Sequence, residues 1–162
     1  MLPRVQGSVT TEGGPPPDHT EVPNTGRILA VDWGERRVGI AVSDPGQIVA
    51  HPVEVLTRRT GRRFPLQRLR SIIDRYRPAG IIVGLPLNAE GAEGDAARRV
   101  REAGEIIRHK TGLPVVYVDE RMTTARVRSD MRRHQTSATT AKPIDDLAAT
   151  VLLQAFLEER AR

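Results

Sequence analysis

The stretch over residues 26–44 constrains the fold of this chain more than any other. It reads GRILAVDWGERRVGIAVSD, in which two apolar runs, residues 28–31 and 38–42, are separated by a short link that contains Gly34. Apolar runs of this length, bounded by glycine and charged residues, are typical of buried strands. The link suits a hairpin turn in which glycine takes a backbone conformation closed to other residues. We therefore predict a β-hairpin whose first strand is central in a sheet.

The first strand of this hairpin ends in an acid, Asp32. A carboxylate at the end of a buried strand is costly unless something pairs with it. It could cap the turn by accepting hydrogen bonds from backbone amides, or it could bind a ligand. The same pattern recurs at residues 113–118, where the apolar run LPVVYV is followed by Asp119 and Glu120. Two predicted strands thus end in carboxylates.

Composition indicates a single domain with an aliphatic core. Of the 162 residues, 38% are hydrophobic and only 3% are aromatic, and this length allows one sizeable core. Residues 1–26 are rich in proline and glycine without periodicity, so we predict a disordered tail before a domain over residues 27–162. The sequence has no cysteine, no apolar run long enough to cross a membrane and no signal-peptide pattern. We expect a cytoplasmic protein with no membrane partner and no disulfide.

Positive charge is concentrated in the predicted domain. The formal charge of the chain is +5, the tail contributes −2, and residues 27–162 therefore carry +7. A charge of this sign attracts polyanions, nucleic acid first. Residues 58–77 combine apolar residues at helical spacing with eight arginines against one acid, Asp74. This segment is predicted to be an amphipathic helix whose basic face is either solvated or in contact with phosphates.

The order of the predicted elements indicates an α/β fold. After the hairpin, residues 47–56 are predicted to form a third strand in which Pro52, lacking a backbone donor, indicates an edge or a bulge. Helices and strands then alternate to the end of the chain, which favours a mixed sheet with helices packed on its faces. Open α/β sheets place their sites beyond the carboxyl ends of the strands. Asp32 and Glu120 converge there if their strands are neighbours in the sheet.

A third acidic position precedes the last predicted helix, where Asp145 and Asp146 occupy the first turn. Three carboxylates in one pocket repel, since a pair about 4 Å apart costs about 4 kcal/mol at an effective dielectric constant of about 20. Mg²⁺ or Mn²⁺ relieves this repulsion, because hard divalent ions prefer oxygen ligands. Two such ions can activate a water and stabilise the leaving oxygen in phosphodiester hydrolysis. With 20 acids in the chain, however, the spacing alone also allows purely structural roles.

Four motifs in order resemble the YqgF/RuvX family: DWG with RVGIAVSD at residues 32–44, VGLPLN at 83–88, VDERMTT at 118–124 and IDDLAA at 144–149. The resemblance covers about residues 27–158 and leaves the tail outside. Members of this family resemble Holliday junction resolvases of the ribonuclease H-like fold and are described as nucleases of pre-16S rRNA. The resemblance implies a mixed sheet of three antiparallel N-terminal strands plus parallel strands, with helices on both faces. It also implies a hydrolase, an endonuclease active in 5′-end processing of pre-16S rRNA during ribosome biogenesis.

The resemblance also assigns roles to residues. It implies that Asp32, Glu120 and Asp145 are the catalytic acids and bind Mg²⁺ or Mn²⁺, as a two-metal site; Asp146 is the weaker choice, because related sequences often carry serine there. The residues it implies for substrate binding are Asn88, Arg121, Thr123 and Arg37. Asn88 could instead be a turn residue, and Arg121 and Thr123 could be caps.

The chain departs from the family pattern at two positions. Glu35 stands where threonine is common, and it adds negative charge beside the predicted pocket. Ala92 stands where threonine or serine is usual, and it removes a hydroxyl from the predicted substrate loop. Neither change removes a predicted catalytic acid, so both bear on the substrate and not on the reaction.

Three other functions remain open from the sequence. The same chemistry could cut four-way DNA junctions in recombination or repair, which implies a homodimer that presents two sites. The acids could be structural in a non-catalytic nucleic-acid-binding module. An actin-like nucleotide-binding protein is more distant, because the chain is too short for the usual paired domains. The sequence does not distinguish precursor rRNA from branched DNA, one metal from the other, or a monomer from a dimer.

Overall fold

A five-stranded mixed sheet forms the centre of the protein. The computed structural model describes residues 22–58, 64–123, 127, 129, 130, 133 and 147–162. Its strands are β1 (Ile28–Trp33), β2 (Arg37–Ser43), β3 (Ala50–Thr57), β4 (Gly80–Leu85) and β5 (Val115–Asp119), in the spatial order β3-β2-β1-β4-β5. Its helices are α1 (Leu66–Tyr76), α2 (Asp95–Thr111) and α3 (Ala148–Arg160), and a single 3₁₀ turn, Glu120–Met122, follows β5.

The pairing of the strands confirms the predicted mixed sheet. The strands β1, β2 and β3 pair antiparallel, and β1, β4 and β5 pair parallel. Asp32 lies opposite Gly39 in the hairpin. Because β1, β4 and β5 run in one direction, their carboxyl ends share one edge of the sheet, which we call the carboxyl edge.

The edge strand β3 carries the irregularity predicted at Pro52. Its pairing with β2 passes from Ile40–Glu54 to Ala41–Pro52, so one extra residue of β3 bulges out. The strand starts at Ala50 and not at Gln47 as predicted. The reason is a turn before it. In this turn the carboxylate of Asp44 accepts hydrogen bonds from the backbone amides of residues 48 and 49, at 2.7 and 2.8 Å.

Gly34 is required in the hairpin for a reason other than the predicted one. Its φ lies outside the left-handed region. Its amide donates a 2.8 Å hydrogen bond to the carbonyl of Arg37, and a Cβ on Gly34 would lie only 2.6 Å from that oxygen. Glycine is needed here because the two backbones approach closely.

Helices cover both faces of the sheet, as predicted. One core cluster joins alternate strand residues such as Val31 and Val83 to α1 and α2. The other joins the intervening residues, such as Ala30 and Ile82, to α3. Since side chains alternate along a strand, Asp32 points towards the α3 face and Trp33 towards the α1–α2 face.

The basic helix predicted over residues 58–77 begins only at Leu66. Residues 59–63 lie outside the described residues, and α1 follows Pro65, whose ring suits the start of a helix. The helix ends at Arg77, which is in the left-handed conformation with φ 49°. In the described part of the chain, no helix is both long enough and apolar enough to span a membrane.

Residues 22–26 belong to the folded domain, although the sequence assigned them to the tail. Val22 is buried, and a Cβ on Gly80 would lie 2.6 Å from its side chain. The guanidinium of Arg160 donates hydrogen bonds to the carbonyls of Val22 and Pro23 at 3.0 and 3.3 Å. These contacts join segments from opposite ends of the chain, so no local pattern could reveal them. Residues 1–21 lie outside the described residues, and their disorder stays a prediction.

Gly104 allows α2 to pack against β5. A Cβ at this position would lie 2.4 Å from the hydroxyl of Tyr117, which donates a 3.0 Å hydrogen bond to the carbonyl of Arg101. Alanine normally stabilises a helix interior by about 1 kcal/mol over glycine, whereas overpacking a fixed neighbour costs about 1–3 kcal/mol. We expect Gly104→Ala to lower the free energy of unfolding, as measured by urea denaturation. A gain in stability would show that the Tyr117 ring moves aside without cost.

Candidate active site

The structure brings Asp32 and Glu120 together at the carboxyl edge. Asp32 is the penultimate residue of β1, and Glu120 directly follows β5. The strand between them, β4, carries Gly84, on which a Cβ would lie 2.9 Å from Oε1 of Glu120. Because Gly84 has no side chain, the Glu120 carboxylate lies over β4 and forms a hydrogen bond with Asp32.

This pairing changes the protonation of Glu120. Burial, the hydrogen bond to Asp32 and the charges of Asp32 and Asp119, in that order, raise the pKa of Glu120 from 4.5 to about 7. Each cause disfavours a second negative charge in the pocket. Near neutral pH the Glu120 carboxyl is therefore partly protonated, and a cation beside it would favour its ionised form.

The start of α3 lies beside the same pair. A Cβ on Gly39 would lie 3.3 Å from the Cβ of Ala149 and 3.8 Å from the Cβ of Asp32. Asp145 and Asp146, the predicted third acid and its alternative, lie outside the described residues. Among the residues that are described, no three His, Cys, Asp or Glu side chains are grouped to hold a metal ion. The structure therefore places two of the predicted acids together, and the third stays a prediction.

Asp119 and Arg121 link the end of β5 to the loop after β4. The Asp119 carboxylate accepts a 2.9 Å hydrogen bond from the amide of Arg121 and forms a 2.8 Å ion pair with its guanidinium. Both contacts hold the pKa of Asp119 below its usual value. A Cβ on Gly91 would lie 3.1 Å from the same guanidinium. Arg121 thus has a clear structural role in the turn, and its predicted contact with substrate stays a prediction.

Thr123 supports the backbone at Glu120. Its hydroxyl donates a 2.9 Å hydrogen bond to the carbonyl of Glu120, which closes the 3₁₀ turn that begins there. Arg37 lies at the start of β2, exposed, and two residues before the partner of Asp32. Thr123 therefore acts as a cap in this structure, while the substrate contacts predicted for both residues remain predictions.

Asn88 closes a turn in the loop after β4. Its side-chain oxygen accepts hydrogen bonds from the amides of Glu90 and Ala92 at 3.1 and 2.8 Å, and its carbonyl accepts one from Gly91. This is the alternative that the sequence offered for Asn88. A substrate contact by the same exposed side chain stays a prediction.

Gly84 is a part of the site that was not predicted from the sequence. The signal was present, because a glycine inside an otherwise apolar strand marks a close approach by another group. Glu35, one of the two departures, lies on the α1–α2 side of the hairpin turn, where it lines a cavity together with Trp33. The added charge of Glu35 therefore belongs to that cavity and not to the pair formed by Asp32 and Glu120.

Gly84→Ala is expected to displace the Glu120 carboxylate and to lower activity more than stability. The new Cβ would overlap Glu120 Oε1 and Leu152 Cδ2, both at 2.9 Å, and overpacking of this kind costs about 1–3 kcal/mol. The matched control is Gly94→Ala, whose Cβ would meet no atom within 4 Å. Cleavage rate and urea denaturation of both variants check this. Equal cleavage by both would mean that Glu120 needs no space over β4.

The comparisons with known proteins agree on one family. The model of the RuvX family, described as Holliday junction resolvase, matches residues 26–159. A protein of Koribacter versatilis with the name "Putative pre-16S rRNA nuclease" is 40% identical over 136 residues, which are 83% of this chain and 88% of that protein. A protein of the same name from Rhodococcus opacus is 36% identical over 156 residues, 93% of this chain and 88% of that protein.

Solved structures place the sheet and its helices in the ribonuclease H-like fold. Thermus thermophilus RuvC in complex with a Holliday junction substrate superposes with a TM-score of 0.60 at 16% identity, over 85% of this chain and 95% of that chain. A second structure of the same protein gives a TM-score of 0.54 at 16% identity, over 83% and 96%. At this level of identity the likeness concerns the fold alone.

Proposed function

Because the chain belongs to the RuvX family, we propose that it is a metal-dependent endonuclease that hydrolyses phosphodiester bonds at the 5′ end of pre-16S rRNA. The observation that carries this proposal is the contact between Asp32 and Glu120 at the carboxyl edge. The names of the two relatives support the choice of precursor rRNA as substrate.

The residues at the carboxyl edge fit a divalent metal. The donor set consists of carboxylate oxygens, which Mg²⁺ and Mn²⁺ prefer. The raised pKa of Glu120 beside Asp32 supports this assignment, because a group that disfavours a further negative charge gains from a bound cation. Asp32 and Glu120 would hold the ions, and we propose Asp145 as the third ligand. Bound ions of this kind lower the pKa of a water and stabilise the leaving oxygen.

The chain itself would position the reacting groups. Gly84 leaves the space that the Glu120 carboxylate occupies, and Thr123 fixes the backbone carbonyl of the same residue. A bound cation would keep the Glu120 carboxylate ionised, and Glu120 or Asp145 would help to position the attacking water. Asp32 would contribute a negatively charged carboxylate that binds the ions.

The charge of the domain suits a nucleic-acid backbone. Residues 27–162 carry +7, and α1 exposes Arg68, Arg70 and Arg75. Arg68 is ion-paired with Glu54 of β3, so Arg70 and Arg75 are the better candidates for phosphate contact. Binding through phosphates predicts an affinity that falls steeply with salt. A ribosomal RNA substrate would place the protein in the cytoplasm.

The decisive experiment compares two substrates. The wild-type protein is incubated with a precursor of 16S rRNA and with a four-way DNA junction, each with Mg²⁺, with Mn²⁺ and with a chelator. We expect cleavage of the precursor that requires the metal. Paired symmetric nicks in the junction without cleavage of the precursor would instead support a resolvase, which requires a homodimer. Salt-sensitive binding without cleavage under either metal would support a non-catalytic binding module.

A further inference from the structure

A cavity of about 920 Å³ opens on the other face of the sheet from Asp32 and Glu120. It lies between the β1–β2 turn, the residues that lead into α1, and α2. Its volume is in the range of pockets that bind small molecules or single groups of a polymer. Of the residues described above, Gly34 and Glu35 of the β1–β2 turn lie in its wall.

The wall nearest the active site is a stack of three side chains. The rings of Trp33 and Phe64 are stacked with their centroids 4.9 Å apart, and the guanidinium of Arg58 lies 4.2 Å from the Trp33 ring. Arg58 is held in place by a hydrogen bond from its Nη1 to the carbonyl of Gly34 at 3.2 Å. Among the described residues, its buried Nε has no hydrogen-bond partner. A base can extend such a stack, because aromatic rings and guanidinium planes both present flat faces.

The remaining wall combines an apolar floor with a basic rim. The floor includes Val100 and Ile106, the latter 50% exposed although it is a large apolar side chain. In the part of the chain that the structure describes, four basic residues line the cavity against two acids, so this rim is net positive. Arg99 and Lys110 contribute to this rim from α2. An apolar floor, stacked rings and a cationic rim together match a nucleobase with its phosphate, whereas a purely apolar partner would leave the cations unpaired.

We propose that this cavity binds unpaired bases of the nucleic-acid strand whose backbone is presented to Asp32 and Glu120. The proposal rests on the proposed function, since it assigns a single-stranded region to the substrate of the same site. The two places are adjacent in the chain, because Trp33 directly follows Asp32 and their side chains leave β1 on opposite faces. A strand that crosses the carboxyl edge can therefore reach both.

The single tryptophan of the chain makes the test direct, because all its tryptophan fluorescence comes from Trp33. Asp32→Asn protein, which keeps the cavity, is titrated with a short single-stranded RNA, with the same sequence as a full duplex, and with a strand of abasic sugars. We expect quenching by the single strand at concentrations at least about fivefold lower than by the other two, as stacking of a base provides. Equal quenching by the abasic strand would overturn the proposal.

Two neighbouring arginines on α2 provide a matched pair of variants. Arg99 lines the cavity, whereas Arg98 is exposed, ion-paired with Asp95 and absent from the wall. We expect Arg99→Gln to weaken single-strand binding about fivefold and to reduce the salt slope by about one phosphate contact. Arg98→Gln, with the same loss of charge, should change binding less than about twofold. Equal effects of the two substitutions would show that only the overall charge matters and would overturn the proposal.

Phe64→Leu separates stacking from charge, because it removes one ring of the stack and keeps an apolar side chain. We expect it to weaken single-strand binding about tenfold and duplex binding hardly at all. Unchanged single-strand binding would overturn the proposal. The proposed function is tested by a separate measurement, metal-dependent cleavage by the wild-type protein. Cleavage without quenching would refute base binding in the cavity and support the nuclease. Quenching without cleavage would support base binding in the cavity and refute the nuclease.

Discussion

Asp32→Asn is expected to reduce metal-dependent cleavage about 10²- to 10⁴-fold, the range that removal of an essential charged group usually gives. Asparagine keeps the shape of the side chain but loses the charge that would hold a hard cation. It also removes one of the charges that raise the pKa of Glu120 to about 7. The loss should therefore appear in the rate of single-turnover cleavage at saturating protein, where weak binding of the substrate cannot explain it.

A loss of activity in this variant is informative only if the fold survives. Replacing one of two mutually repelling carboxylates relieves the repulsion, so we expect the free energy of unfolding of Asp32→Asn to be equal to or above that of the wild type without added metal. Asp74→Asn provides the matched control, because Asp74 is exposed on α1 away from the carboxyl edge. It should keep full activity and change stability by less than about 0.5 kcal/mol. Cleavage by Asp32→Asn at the control rate would contradict the assignment of the site.

The second large effect concerns the stability of the protein against pH. The pKa of Glu120 is raised from 4.5 to about 7 in the folded state. Between these values the folded state binds more protons than the unfolded state, so the contribution of Glu120 to stability is complete below pH 4.5 and is lost as the pH rises through 7. For a half-buried group with this shift we expect a loss of about 2 kcal/mol. Urea denaturation of the metal-free protein at pH 5 and pH 8 measures it.

Glu120→Gln isolates this contribution. Glutamine does not titrate, so the difference in stability between wild type and variant should change by about 2 kcal/mol from pH 5 to pH 8 in favour of the variant. The control is Glu90→Gln, an exposed acid in the loop after β4. Mg²⁺ should stabilise the wild type more at pH 8 than at pH 5, because protons compete with the metal for the same oxygens. Parallel pH profiles of wild type and Glu120→Gln would show that folding does not raise the pKa of Glu120.

The arrangement of the strands was accessible from the sequence because it depends on local patterns. Apolar runs that end in acids predicted β1 and β5. The sequence made the meeting of Asp32 and Glu120 depend on these strands being neighbours, whereas β4 lies between them and the Glu120 side chain reaches across it over Gly84. Pro52 predicted the irregular edge, since proline cannot donate to a neighbouring strand. The resemblance to a family supplied what these patterns lacked, namely which of the many acids to choose.

What the sequence could not predict depends on contacts between distant residues. Val22 is buried by β4 and held by Arg160, which is 138 residues away in the chain. The stack of Trp33, Phe64 and Arg58 likewise joins the hairpin to the residues before α1. Neither contact leaves a periodic signal, because each involves single side chains that meet only after the sheet has formed.

The hydrogen bonds of Arg160 bring the first and last folded segments together at Gly80, the amino end of β4. Asp32 and Glu120 lie at the opposite edge of the same sheet. Val22 and the end of α3 therefore lie at the edge of the sheet opposite to Asp32 and Glu120. A fusion partner or a surface anchor attached at either terminus would leave the approach of a long, bulky polymer unobstructed.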